Sequence, residues 1–462
     1  MSTTIRMCTR NKGTSFGRIL ALSAAAWIVF VCCWNVTRAG ARTDAVPLQP
    51  IIDAAPYGET LLLQPGTYTG PVRIDKKLTL DGGGKATLVQ GQNDSSGAVI
   101  LIRGEGVSLQ DLNIRQDNGG EAAAVRVEAA RVSVKGLAVL SAGYGIMLRE
   151  ADSGVIENNK IRYTVPAGTA PGIRGNGIDL YESDGVRIAG NEITLLRDGI
   201  YLEKSRNAVI DGNRLYYSRY GIHCMYIDGS KVTNNIGEYN ITGAMVMGVT
   251  DVTVSGNSFR KQSRNVHSQG ILLYDVKTSR IHGNLVEGNR VGIFMQQSSG
   301  NALWGNTVLR NYIGVQFEDA EDNRFQHNGF IANVMDAEAA GSRNNEMSGN
   351  YWDSFQGLDL TGDGVSELPY AINPFYQHLV ARNSAYQLLF QSPGITFLSD
   401  LFQEGKTQWS ADPAPLLQPE FETAAAGENG VQGGRQGPVM VAGFVLVFLS
   451  VVTILYLGVF RS

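Results

Sequence analysis

Residues 199–213 read GIYLEKSRNAVIDGN, residues 221–235 read GIHCMYIDGSKVTNN, and residues 243–257 read GAMVMGVTDVTVSGN. Each segment opens with a glycine, has apolar or small residues at the first and third positions after it, and closes with an asparagine fourteen residues after the glycine. The opening glycines lie 22 residues apart. A period in the low twenties is typical of solenoid proteins, in which each repeat forms one coil.

The same register extends well beyond these three segments. The glycine spacing is 22 residues except for one gap of 32 and one of 27. These gaps place insertions around residues 164–174 and 260–269, and insertions in solenoids often form binding loops. The glycines are Gly145, Gly177, Gly199, Gly221, Gly243, Gly270, Gly292 and Gly314, and the asparagines are Asn159, Asn191, Asn213, Asn235, Asn257, Asn284, Asn306, Asn328 and Asn350.

Composition separates two kinds of solenoid that share this period. The Leu-x-x-Leu-x-Leu consensus of leucine-rich repeats is missing, whereas β-branched residues and asparagine are abundant. The sequence therefore predicts an all-β fold, a right-handed parallel β-helix whose strands pair in parallel from coil to coil. Asparagines at the bends are expected to bond to the backbone and to the asparagine of the next coil. Cys224 falls in an inward column, so we expect a core residue rather than a metal ligand.

Bulk composition agrees with many short strands and narrows the function. The chain has 462 residues, 55 glycines and only 18% charged residues, which suits strands and tight turns better than a helical bundle. Its formal net charge of -4 gives no electrostatic reason to expect nucleic acid as a partner.

Apolar segments flank the repeat at both ends. Basic residues, an apolar run and then small residues give the N-terminus the order of a secretory signal, with an uncleaved anchor as the alternative. The 23 uncharged residues near the C-terminus are long enough, at about 1.5 Å per residue, to cross a bilayer of about 30 Å. The predicted organisation is a signal peptide (1–41), a parallel β-helix (42–355), a C-terminal cap (356–420), a flexible linker (421–437) and a transmembrane anchor (438–460).

The second and fourth positions after each glycine are expected to face outward. On one coil they are His223 and Met225, and on the next they are Met245 and Met247. Neighbouring strands lie about 4.8 Å apart, and alternate residues of one strand about 6.6 Å apart. Three thioethers and one imidazole suit Cu(I) better than zinc. This methionine–histidine quartet is the candidate copper site, with copper bound transiently as Cu(I).

Two other interpretations of this surface stay open. An apolar strip flanked by Tyr201, Tyr274 and Phe294 would also serve as a docking surface for another protein. Methionine-rich faces are adaptable binding surfaces as well as metal sites. The quartet could also pack beneath a loop.

An enzyme is the alternative class, because β-helices include polysaccharide lyases, hydrolases and epimerases. Asp179 and Glu203 are expected on adjacent coils, with Tyr181 and Tyr201 beside them, so a carboxylate pair over a sugar groove is conceivable. The chain has no dense acidic cluster for a calcium-assisted lyase, and solvated acidic side chains are the favoured interpretation. We therefore expect a protein that is not an enzyme, with a carbohydrate-binding or polysaccharide-modifying β-helix as the alternative.

The repeat gives way to an acidic loop after its last asparagine. Asp359, Thr361 and Asp363 are spaced like the opening of a calcium loop, and Glu367 follows. An EF-hand would have an acidic twelfth residue, which here is Tyr370. The loop is either a calcium site or a glycine-rich cap that closes the solenoid.

These motifs together resemble the NosD family of periplasmic nitrous oxide reductase maturation proteins. The similarity covers most of residues 46–419. Its motifs are the opening at 61–69, the GIHCMY coil at 221–226, and the NYWD block at 350–353 that leads to LPY at 368–370.

The resemblance implies an assembly factor for the copper centres of nitrous oxide reductase. Its implied partners are the membrane and ATPase subunits of an ABC transporter, a copper chaperone and the nitrous oxide reductase apoprotein. His223, Met225 and Met247 are similar to the family's His-x-Met and following Met, whereas Met245 is particular to this sequence. The family usually has tyrosine at the position of Cys224, and its pattern does not require the C-terminal span, so a divergent member with another client stays open. We expect a periplasmic protein anchored to the cytoplasmic membrane.

Overall fold

The computed structural model describes residues 45–91, 97–165, 168, 172–389, 392–403 and 409–420. Its main body is a right-handed parallel β-solenoid, which confirms the predicted fold. Each coil passes through sheet C, then sheet B, then sheet A, and each strand pairs with the equivalent strand of the next coil. Sheet A has 14 strands, so the described solenoid makes about 14 turns.

The strands of the three sheets are two to nine residues long. Sheet A contains Val46–Pro47, Gly66–Thr69, Ala86–Val89, Asn113–Gln116, Ala138–Ser141, Lys160–Tyr163, Glu192–Thr194, Arg214–Tyr216, Ile236–Glu238, Ser258–Arg260, Leu285–Glu287, Thr307–Leu309, Gly329–Ile331 and Tyr351–Trp352. Sheet B contains Thr60–Leu62, Thr79–Asp81, Ser108–Gln110, Ser133–Lys135, Val155–Glu157, Arg187–Ala189, Val209–Asp211, Lys231–Thr233, Thr253–Ser255, Arg280–His282, Ala302–Trp304, Arg324–Gln326 and Glu346–Ser348. Sheet C contains Val72–Ile74, Ala98–Ile102, Ala123–Val127, Tyr144–Arg149, Ile178–Tyr181, Asp198–Glu203, Tyr220–Met225, Thr242–Thr250, Gln269–Lys277, Val291–Gln296, Ile313–Glu318 and Met335–Ala340.

The core is built from the inward columns that the repeat predicts. Ile178, Ile200 and Ile222 are register partners on successive strands of sheet C and are fully buried. Cys224 is also fully buried, between Leu202 and Val246, which confirms that it is a core residue. Burial raises the pKa of its thiol to about 12, because a thiolate would lose its hydration there.

The predicted asparagine ladder is present at the bend between sheets B and A. The Nδ2 group of Asn213 donates to Oδ1 of Asn235 at 2.9 Å and to the carbonyl of Ile188 at 3.0 Å. The backbone N–H of Asn213 donates to the same Oδ1. A second ladder, Asn289, Asn311 and Asn333, and a third, Asn301, Asn323 and Asn345, follow the same pattern at other bends.

Short elements close both ends of the solenoid. Helix α1 (Gln49–Ala54) precedes the first full coil and buries Ile52. At the other end Trp352 stacks between Phe330 and Tyr370, with ring centroids 4.3 Å apart on both sides. The described remainder comprises α2 (Phe375–Arg382), a 3-10 helix (Ser384–Leu389), α3 (Pro393–Leu401) and an antiparallel pair of Tyr370–Ala371 with Ala411–Asp412.

The predicted signal peptide, linker and transmembrane anchor, at 1–41, 421–437 and 438–460, lie outside the described residues. Among the residues that the structure does describe, no helix is both long and apolar enough to cross a membrane.

Candidate metal centre

The parallel register of sheet C brings the quartet together in pairs. His223 is the register partner of Met245, and Met225 is the partner of Met247. Both pairings follow from the constant period, because equal positions of successive coils become neighbours across the sheet. The four side chains therefore start from adjacent points on two adjacent strands.

The quartet is more enclosed than an exposed strip would be. His223 is 7% exposed and Met245 is 9% exposed, while Met225 and Met247 are half-buried. Rings supply part of this cover: Tyr201 and Tyr220 meet the imidazole of His223 edge-on, with centroid distances of 5.0 and 4.8 Å. An ion bound here would be largely shielded from water.

The imidazole of His223 is oriented by a buried carboxylate. Its Nδ1 lies 3.1 Å from Oδ2 of Asp198. Arg219 donates to both oxygens of that carboxylate, at 2.8 and 2.6 Å. Burial opposes ionisation of Asp198, but the hydrogen bonds from His223 and Arg219 outweigh it, so the pKa of Asp198 lies below its ordinary value.

The ionised carboxylate assigns the tautomer of the ring. Because Asp198 can only accept, Nδ1 carries the proton, and a neutral imidazole then presents a lone pair at Nε2. That Nε2 atom is buried and has no hydrogen-bond partner among the described residues. A buried unpaired nitrogen costs about 1–3 kcal/mol. A carboxylate that fixes Nδ1 while Nε2 stays unpaired is the usual preparation of a metal-binding histidine.

The sulfur ligands determine which metal fits. The Met225 sulfur lies 3.6 Å from the hydroxyl of Tyr201. No group of three or more His, Cys, Asp or Glu side chains within the described ranges is placed to hold a metal ion. Thioethers with one imidazole suit the soft ion Cu(I) better than hard or borderline cations.

The acidic loop is folded around its own carboxylates. Asp359 accepts the backbone N–H groups of Gly362 and Gly364 at 2.5 and 2.9 Å, and these bonds lower the pKa of its carboxyl. Asp363 accepts from the N–H of Val365, and Glu367 from that of Leu360. These bonds support the structural role of a cap, and calcium at Asp359, Thr361, Asp363 and Glu367 stays a prediction.

The carboxylates considered for sugar chemistry share a cleft with His223. This cleft has a volume of about 390 Å³ and is lined by both carboxylates and both tyrosines of that set. Asp179 is paired with Arg149 at 2.6 Å and accepts from Asn176 at 2.6 Å. Glu203 accepts from the hydroxyl of Tyr201 at 2.7 Å. Both acids are therefore engaged by local partners rather than turned free toward the cleft. The remaining residues of the predicted docking strip, Tyr274 and Phe294, are half-buried on the next strands of sheet C.

Three residues of this site lie outside the inward and outward positions that follow each glycine of the repeat. They are Asn176, Asp198 and Arg219, all at or before the start of a sheet C strand. The residue just before each glycine forms a column of its own, which includes Asn176, Asp198 and Tyr220. A carboxylate in this column, one coil from Asp179 and one coil from His223, is the sequence signal for this part of the site.

Fold and candidate site together define a class: a parallel β-helix with one histidine and three methionines as register neighbours on one sheet. A family model described as "Periplasmic copper-binding protein (NosD)" matches residues 164–357, and one described as "Right handed beta helix region" matches residues 83–235. The predicted resemblance is confirmed: the chain is similar in sequence to the NosD family, and its fold is a parallel β-helix.

Two curated relatives extend the similarity along the chain. A protein of Pseudomonas aeruginosa named "Probable ABC transporter binding protein NosD" is 29% identical over 392 residues, which cover 73% of this chain and 82% of that protein. A protein of the same name from Stutzerimonas stutzeri is 27% identical over 468 residues, covering 86% and 94%. Both relatives thus carry the name of a binding protein.

Solved structures share the fold at low sequence identity. A double mutant of the periplasmic alginate epimerase AlgG has a TM-score of 0.52 at 16% identity, covering 68% of this chain and 84% of that chain. The A-module of a mannuronan C-5 epimerase from Azotobacter vinelandii has a TM-score of 0.52 at 16% identity, covering 67% and 95%. An alginate lyase has a TM-score of 0.51 at 13% identity, covering 69% and 88%. At these identities the likeness concerns the β-helix alone.

Proposed function

We propose that this protein is a periplasmic copper-handling assembly factor that works with an ABC transporter in the maturation of nitrous oxide reductase. Copper is its cargo, held transiently as Cu(I) at His223, Met225, Met245 and Met247. A copper chaperone supplies the ion, the apoprotein of the reductase receives it, and the C-terminal helix predicted at 438–460 anchors the protein to the cytoplasmic membrane. The family description and the names of the two relatives support the setting.

The observation that carries the proposal is the unpaired Nε2 of His223. The Asp198 carboxylate holds the other ring nitrogen, so Nε2 is the ring atom left to bind the ion. Met245 is the register partner of this histidine, and Met225 and Met247 lie two residues further along the same two strands. The chain thus supplies a soft ligand set next to a nitrogen that has no hydrogen-bond partner among the described residues.

The same features suit transient holding rather than permanent storage. Thioethers are neutral ligands, so a bound Cu(I) keeps its charge and can pass to a site with thiolates or more imidazoles. The rings of Tyr201 and Tyr220 and the low exposure of His223 keep water away from the ion. We assign Tyr201, Tyr274 and Phe294 to the contact surface that a partner protein would cover.

The proposal is tested by titrating the full-length protein with Cu(I) against a competing chelator. We expect Met225→Leu combined with Met247→Leu to weaken Cu(I) binding by at least about tenfold, because two of the soft ligands are lost while side-chain volume is kept. His223→Ala is expected to weaken it as much.

Met147→Leu is the matched control. Met147 lies in the same outward column as His223, three coils away, and is also buried, with 3% of its surface exposed. Its replacement should leave the affinity for Cu(I) unchanged. Equal affinities for the wild type and the Met225/Met247 double variant would remove the quartet as the copper site.

A further inference from the structure

A second cleft of about 470 Å³ lies between the two insertions of the solenoid. Four guanidinium groups line it, those of Arg174, Arg197, Arg219 and Arg264, and we call it the arginine cleft. Arg174 ends the first insertion and Arg264 lies within the second. Both departures from the 22-residue period therefore contribute to one cleft, although they are 90 residues apart in the chain.

Most of this positive charge has no negative partner. Arg219 is paired with Asp198, but Arg174, Arg197 and Arg264 form no ion pair with a carboxylate in the part of the chain that the structure describes. Arg174 donates to the carbonyl of Leu195 at 3.1 Å. Arg264 lies over the ring of Tyr217, 5.5 Å from its centroid.

Four arginines line the arginine cleft, and no Asp or Glu is among its lining residues. Arg197 and Arg219 occupy the same position of successive coils, about 4.8 Å apart along the sheet. Like charges on neighbouring positions destabilise a protein unless counter-charges lie between them. A guanidinium pairs best with carboxylate or phosphate, through two parallel hydrogen bonds. The cleft is thus suited to a ligand that carries several negative charges.

The aromatic residues of the arginine cleft indicate whether its ligand is a peptide or a sugar. Tyr217 and Tyr239 stack on each other, with ring planes 6° apart and centroids 5.2 Å apart. Cations lie over both rings, Arg264 over Tyr217 and Lys261 over Tyr239. A sugar that stacked on these rings would compete with the cations for them. Ile173, by contrast, is 79% exposed at the cleft and offers an apolar contact.

The arginine cleft adjoins the cleft of His223. Arg197 and Arg219 line both of them. We propose that the arginine cleft docks an acidic segment of a protein partner, one that carries clustered Asp or Glu side chains beside an apolar residue. Arginine and tyrosine are the residues most often found at the energetic centre of protein interfaces. The choice of a protein partner rests on the proposed function, since a protein that exchanges copper with His223 must approach beside this cleft.

Binding of a defined acidic peptide tests the proposal. The probe is a seven-residue peptide of six glutamates around a central leucine, titrated into the full-length protein at low salt. We expect saturable binding that weakens as salt is added, because salt screens exposed charges. Arg197→Gln and Arg264→Gln should each weaken it about tenfold, and the double variant further.

Arg324→Gln is the control, since Arg324 is an exposed arginine of sheet B paired with Glu346. It should bind the peptide as the wild type does. Tighter binding of an oligouronate or of pyrophosphate than of the peptide would overturn the choice of partner. Equal binding by the wild type and the Arg197/Arg264 double variant would overturn the site.

The copper titration distinguishes this proposal from the proposed function. Arg264 does not line the cleft of His223, and Arg264→Gln leaves Asp198, Arg219 and the quartet intact, so the Cu(I) affinity of this variant should not change. Loss of peptide binding with normal copper binding is the expected pattern. Peptide binding by a protein without copper affinity at the quartet would leave the docking site standing and refute the copper assignment.

Discussion

At the residue scale, the two nitrogen atoms of His223 have opposite surroundings. Nδ1 faces a buried carboxylate that Arg219 holds in place, and Nε2 faces no hydrogen-bonding group within the described residues. Native proteins rarely leave a buried nitrogen unpaired, because the lost hydration is not recovered. A ligand that occupies Nε2 would remove this cost, which is why the proposed cargo is placed there.

Asp336 is a second buried carboxyl, and its effect on stability depends on pH. It stands at the position that the repeat gives to glycine, accepts from the Ser354 hydroxyl at 2.5 Å, and burial raises its pKa to about 6. A carboxyl whose pKa is raised by folding stabilises the protein below its unfolded pKa of about 4, and this contribution is lost as pH rises through the folded pKa.

We therefore expect the wild type to lose about 2 kcal/mol of unfolding free energy, relative to Asp336→Asn, between about pH 4 and about pH 7. The variant keeps an acceptor for Ser354 but has no charge to bury. Denaturation curves across this range measure the difference. Asp319→Asn, which removes an exposed carboxylate one coil away, should leave the pH dependence as it is in the wild type. A pH dependence unchanged in Asp336→Asn would contradict the assignment.

At the scale of the elements, the asparagine ladder ties each coil to the next at a fully buried bend. Asn235 accepts two hydrogen bonds from Asn213 and donates to Asn257 and to the carbonyl of Ile210. The bend leaves backbone groups without strand partners, and the side-chain amide satisfies them from both sides. This explains why the repeat keeps asparagine, which is a poor strand residue, at a fixed place.

Asn235→Ala should lower the free energy of unfolding by about 3 kcal/mol or more, since several buried donors and acceptors lose their partners at once. Chemical denaturation with hydrogen exchange at the neighbouring coils measures the effect. Asn113→Ala offers a comparison at a half-buried position, where the amide makes only two long bonds of 3.2 and 3.4 Å. Similar losses in both variants would show that the ladder has no special role.

At the scale of the whole molecule, the donors of the last asparagine in the ladder need an acceptor from outside the repeat. The last ladder residue, Asn350, donates its backbone N–H and its Nδ2 group to Oδ2 of Asp412, at 3.0 and 2.9 Å. Trp352 donates its ring N–H to the same oxygen. Because a carboxylate only accepts, it terminates a chain of donors, and residues 409–420 thus return to cap the final coil.

Asp412→Ala should loosen the C-terminal coils and leave the distant ones intact, because a solenoid is stabilised mainly by contacts between neighbouring coils. We expect faster amide exchange in the strands Tyr351–Trp352 and Gly329–Ile331, with no change in Asp198–Glu203. Asp363→Ala, in the exposed loop, should change neither region. Protection that is unaltered near Trp352 in the Asp412 variant would exclude the capping role.

The sequence by itself determined the fold, the core and the neighbours across each sheet. A constant period forces equal positions of successive coils into contact, so Cys224 could be placed inside and His223 beside Met245 without coordinates. The ladder of asparagines followed from the same register. These features recur from coil to coil, so they can be recognised from the spacing of residues along the sequence.

Only the tertiary structure decided which side chains complete the site. The Asp198–Arg219 pair that orients His223 depends on the course of the chain at the glycine bend, which changes the direction of side chains without changing the period. Both insertions break the period, so their meeting at the arginine cleft could not be derived from it. The return of Asp412 to the final coil spans 62 residues. Such contacts occur once and follow no repeat, so they are fixed by packing in three dimensions rather than by sequence spacing.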